Sequence, residues 1–146
     1  MKIRFFEENE FLIKKAIGPG IYNIKIGLSG ENNSDYESLY IGKSYSMITR
    51  CSTHLYELHK DPSYFGLSVC DMTNNNLELN IEIFESLDID EELSSGEKDI
   101  LLRERELEAI KKLKPLSQLE TSDRLKKNRV DIVQSFLKAL LKQNEK

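Results

Sequence analysis

The chain has 146 residues, 39% of them hydrophobic and 32% charged, with net charge −4. That composition belongs to one folded domain with a real core, not to a disordered chain, and no apolar run reaches membrane-spanning length. The start, MKIRFFEENEF, lacks the apolar stretch of a signal peptide, so the expected compartment is the cytoplasm. Cys51 and Cys70 show no CxxC or Cys/His spacing, which predicts reduced thiols and no zinc site.

The negative total hides an uneven distribution. Basic against acidic residues number 8 against 7 in 1–60, 1 against 11 in 61–99, and 12 against 7 in 100–146. A polyanion responds to charge within about 10 Å at ordinary salt, so overall acidity does not exclude DNA. It predicts a restricted contact face and weak non-specific binding.

In chain order, GPGIYNIKIG (18–27) reads as a strand and LSGENNSDYES (28–38) as a polar loop of turn formers. SLYIG (38–42) is a second strand, completing an antiparallel hairpin. From about Ser46 to Leu58 the period becomes helical, with Met47, Cys51, Leu55 and Leu58 on one face and Ser44 or Ser46 as N-cap. LELNIEIFESL (77–87) alternates as a third strand. Residues 94–115 form a helix with a serine cap signal, acids first, lysines last and Pro115 beyond. From about Asp123 a further helix carries the stripe Val130, Val133, Phe136, Leu137, Leu140 and Leu141, suited to core packing or a homodimer contact. The expected architecture is α+β, with a small three-stranded antiparallel sheet flanked by helices over residues 1–120. Residues 121–146 are a C-terminal helical extension packed on or next to it.

Two helical positions carry chemistry. Glu106 falls among Leu102, Leu107, Ile110 and Leu113, where a carboxylate costs several kcal/mol unless compensated. Either Arg103 pairs with it, or it sits at a partly exposed rim, or it faces a cleft as a metal ligand; Mg²⁺ commonly takes only one or two protein carboxylates. Arg50 and His54, four residues apart, border the apolar face of their helix. The pair is either a solvated edge or a phosphate fork beside a proton carrier.

GIY at Gly20–Tyr22, YIG at Tyr40–Gly42 followed by Lys43, Arg50 ten residues after Tyr40, His54 four beyond that, Glu106 on a later helix, and KP at Lys114–Pro115 form an ordered set. Over residues 18–118 this set resembles the GIY-YIG nuclease domain. The loop between GIY and YIG is longer than that family's usual hairpin, and Gln118 stands where many members have asparagine. The resemblance implies a DNA endonuclease using Mg²⁺ or Mn²⁺. Its implied catalytic residues are Tyr22 as general base, Tyr40 orienting water or phosphate, Arg50 clamping the scissile phosphate, His54 assisting proton transfer, and Glu106 holding the metal. Lys43 and Gln118 would contact substrate, Lys43 together with the metal lowering the Tyr22 pKa.

Other readings stay open on the sequence alone. Tyr22 and Tyr40 also suit ordinary strand aromatics, and RLKKNR (124–129) suits a solvated helix start as well as a DNA-backbone contact. His59 and Tyr56 read as surface residues. The alternatives to an active enzyme are a catalytically weak DNA-binding module, or a protein-interaction domain using the acidic block at 78–99.

Overall fold

The computed structural model describes residues 1–7 and 10–144, with residues 10–13 described by their backbone. Nine residues of alternating character build the central strand, β2 (Gly20–Leu28). Its even positions Tyr22, Ile24, Ile26 and Leu28 enter one core; Ile21 on the opposite face enters a second. β3 (Glu37–Ser44) and β4 (Leu77–Ser86) pair with it on either side, both antiparallel.

The three expected antiparallel strands are therefore present, but the sheet is four-stranded and mixed. β1 (Lys2–Phe5) adds in parallel to β4, giving the order β1-β4-β2-β3. Arg4 of this edge strand pairs with Glu78 at 2.9 Å. β3 starts at Glu37, earlier than expected, and the loop before it holds a 3-10 turn at Asn33–Asp35 capped by Asn32.

Helices cover both faces. α1 (Glu10–Ile17) and a short α3 (Val69–Thr73) were not anticipated. α2 (Met47–Lys60) supplies Met47, Cys51 and Leu58 to the larger core. Ser44 ties its entry, accepting from Ser46 N at 3.0 Å and donating to Ser46 O at 2.7 Å. α4 (Ser95–Leu113) begins with a capping box between Ser94 and Glu97 and ends at left-handed Lys114 before Pro115. It packs Leu102, Ala109 and Ile110 against Ile21 and Ile41 on the other face.

α5 runs over Arg129–Asn144, starting later than about Asp123. The residues ahead of it are used differently: Gln118 and Leu125 form an antiparallel bridge, and Lys126 N bonds Ser117 O at 2.8 Å. Val133 and Leu137 of α5 lie in the same core as Ile24 and Ile81. Among the described residues, no helix is long and apolar enough to cross a membrane.

Candidate active site

Tyr22 comes from β2, Tyr40 from β3, and Arg50 and His54 from α2. His54 shares the buried face of α2 with Met47, Cys51 and Leu58 instead of bordering it, while Arg50 is exposed. Tyr22 Oη and His54 Nε2 are 2.6 Å apart in the interior. Tyr40, Phe65 and Tyr64 wall the imidazole, with ring centroids 5.1, 5.3 and 6.4 Å away. Burial, assisted by the Arg50 charge, lowers the His54 pKa to about 4. The ring is thus neutral at neutral pH and shares a hydrogen bond, not a charge, with the Tyr22 hydroxyl.

Burial also pushes both phenols well above their ordinary pKa. For Tyr22 the neighbouring Tyr40 and Cys51 add to the rise; for Tyr40, Tyr64 and Glu106 do. Arg50 pulls each downward and is outweighed. The expectation that Lys43 would lower Tyr22 needs correcting: the cation acting on Tyr22 is Arg50, and the phenol stays protonated. Gly42 lies opposite Tyr22 across the hairpin, and a Cβ there would overlap the Tyr22 hydroxyl. The glycine of YIG is the seat of the tyrosine of GIY.

An ionic group occupies the other face of the sheet. Lys43 Nζ lies 3.3 Å from Glu106 Oε1 and 3.7 Å from Asp123 Oδ2. Glu106 is only 3% exposed, so burial raises its pKa while Lys43 opposes the rise. Its partner is therefore Lys43, not Arg103. Arg103 lines, with Lys43, Asp99 and Asp123, an open cleft of about 450 Å³. Tyr40 connects the two groups electrically, since the charges of Glu106 and Asp123 both raise its pKa.

Glu106 and Asp123 offer the hard oxygen donors that Mg²⁺ or Mn²⁺ prefers. Among the described residues no group of three or more His, Cys, Asp or Glu side chains could hold an ion. The donors fit a site built on one or two carboxylates. An ion there would compete with the Lys43 ammonium, which already lies within 4 Å of both.

Gln118 is not available for substrate. At 1% exposure, its Oε1 accepts from Ile41 N at 2.9 Å, and its Nε2 donates to Ile41 O at 2.8 Å and Asp123 O at 3.3 Å. The amide closes the outer edge of β3 as a strand would. In RLKKNR, Arg129 donates to Tyr64 O and Lys126 O, an anchoring role, while Arg124 and Lys127 are exposed. His59 and Tyr56 are on the surface. Of the acidic block, Glu78, Glu82 and Glu85 are each paired, with Arg4, Lys25 and Arg105.

Three site neighbours escaped the sequence reading. Tyr64 and Phe65 arrive on a 3-10 turn over Pro62–Phe65, signalled by the turn-forming DPSYFG, and Asp123 arrives because 116–118 bond β3 and 124–126 fold back onto 117–119. No family model, curated protein or solved structure matches the chain.

Proposed function

We propose that the chain is a DNA endonuclease of the GIY-YIG type that hydrolyses phosphodiester bonds. The observation that carries this reading is the 2.6 Å bond between Tyr22 and a neutral His54, with the Arg50 guanidinium acting on both groups. A phenol bound to an uncharged imidazole can pass a proton, and a solvent-facing guanidinium beside it can hold two phosphate oxygens. Among the described residues Arg50 has no carboxylate partner within 4.0 Å, which leaves its fork for an anion.

In this reading Arg50 grips the scissile phosphate from the α2 side. Tyr22, 1% exposed, would meet the attacking water only once substrate opens its pocket; it would then take the water's proton while giving its own to His54, whose low pKa the arriving phosphate charge must offset. Tyr40 orients the phosphate from the α2 face, while Lys43, on the opposite face, adds positive charge near the end of β3. Glu106, with Asp123 beside it, would hold a Mg²⁺ or Mn²⁺ ion, which supplies charge neutralisation on the phosphoryl oxygens.

A second reading rests on a different observation. With Glu106 sealed against Lys43, the chain would be a DNA-binding module of little or no turnover. Incubating supercoiled plasmid with the protein and Mg²⁺ separates the two. Nicking that falls about a hundredfold in both Tyr22→Phe and Glu106→Ala supports hydrolysis. Gel retardation without nicking selects the binding module, and neither effect sinks both.

A further inference from the structure

On the α4 face, the sheet is apolar only beneath the helix, around Ile21 and Ile41. Farther along, the same face turns polar: Asn23 and Lys25 of β2 pair with Glu82 and Asn80 of β4, and Ser38 of β3 lies beside them. Asn23, Lys25, Ser38 and Glu82 floor a cleft of about 310 Å³, lined also by Phe84 and by Tyr36 from the long loop.

Most of its polar atoms are committed. Asn33 from the loop donates to Glu82 at 3.0 Å and accepts from Asn80 at 2.6 Å, and Lys25 pairs with Glu82 at 3.2 Å. Asn23 differs. It is 3% exposed and its Oδ1 accepts from Ser38 Oγ at 2.7 Å, yet its Nδ2 has no partner among the described residues. That nitrogen is not sealed in the interior, since no fully buried side-chain polar atom lacks a partner; it opens into the cleft. Open to the cleft, that nitrogen can donate to an acceptor that enters it.

The cleft also limits what can enter. Lys25 is balanced by Glu82, and Glu37 leaves the lining net negative, so an anion is repelled. The volume is at the small end for ligand sites. Phe84 and Tyr36 add aromatic surface to the lining, and the carboxylates accept hydrogen bonds where Asn23 and Lys25 donate them.

We propose that this cleft binds a nucleoside, its neutral planar base seated against Asn23 beside Phe84 and Tyr36. The site shares no residue with Tyr22–His54 or Lys43–Glu106, so it stands independently of hydrolysis. Asn23 and Lys25 lie two and four residues past Ile21, the cross-strand partner of Lys43, which places the cleft about 7–13 Å along the strand from that lysine.

The test titrates adenosine, guanosine, cytidine and uridine separately into ¹⁵N-labelled protein, with inorganic phosphate as the control. At least one nucleoside is expected to give saturable shifts at the Asn23 side-chain amide and Tyr36 at millimolar concentration, with Lys43 and Glu106 unmoved. Asn23→Ala should weaken binding about tenfold, the loss of one buried hydrogen bond. Ser34→Trp changes an exposed residue at the rim and should block the cleft without touching the core. The proposal is overturned if no nucleoside saturates, if phosphate competes, or if Ser34→Trp binds as wild type.

Discussion

The two faces of the sheet bury polar chemistry in opposite ways. On the α2 face, Tyr22 and His54 are both uncharged and share one short hydrogen bond within aromatic walls. On the α4 face, Lys43 and Glu106 meet as an ion pair at 3.3 Å, and only the carboxylate is enclosed, the lysine being partly exposed. A neutral pair needs only its single bond to be satisfied, whereas an enclosed charge needs a permanent partner. The difference teaches that one half of the site is held by shape and the other by charge, so crowding should break the first and neutralisation the second.

Crowding should have the largest effect. Gly42→Ala drives the Tyr22 ring from its seat and parts it from His54, combining overpacking with a lost buried hydrogen bond, about 4 kcal/mol together. Urea unfolding measures it, and a loss below about 1 kcal/mol would mean the hairpin absorbs the methyl elsewhere.

Neutralisation comes next. Lys43→Met strands Glu106 and should cost about 3 kcal/mol near neutral pH, the lower end for a broken buried pair because the lysine is partly exposed. The penalty should shrink in acid, where Glu106 takes up a proton, and Lys43→Met combined with Glu106→Leu should recover most of it. A double variant no more stable than Lys43→Met would show that the pair is not what Glu106 depends on.

Acid sharpens the contrast from the other side. His54 has a native pKa of about 4 against an ordinary 6.5, so between these values the unfolded chain binds the extra proton. Stability should therefore fall by about 3 kcal/mol as pH drops from 6.5 to 4, and His54→Gln should flatten that part of the profile. Glu106 runs the opposite way: its raised native pKa adds stability at low pH that is lost as pH rises through the carboxylate range. An unchanged slope in His54→Gln would mean that the imidazole is protonated without cost.

Much of this was legible from local pattern. α4 announced both of its ends through Ser94, Glu97 and Pro115, and the alternation of 77–86 marked β4. Glu106 was recognisable as a carboxylate on an apolar face. Its partner was not, because Lys43 lies 63 residues away and a helical wheel sees only neighbours such as Arg103. β1 is four residues long and largely exposed, too short for a period to register. The start of α5 was obscured because charged RLKKNR has helical composition, while the pairing of Gln118 with Leu125 takes its first residues into a turn. Nothing local distinguishes a glutamine that binds solvent from one that binds a strand.

That glutamine has a wider consequence. A bare sheet rim invites a second chain to add itself, the first step toward intermolecular association. Leu116, Ser117 and the Gln118 amide occupy the β3 rim from Ser38 to Ile41, and at the far rim β1 exposes Lys2 and Arg4. One side of the sheet is stoppered and the other is electrically guarded. Peeling away the stretch after α4 would free a hydrogen-bonding template and bare the side of the larger core that Leu116 and Leu125 cover, making that stretch a safeguard against self-templated aggregation.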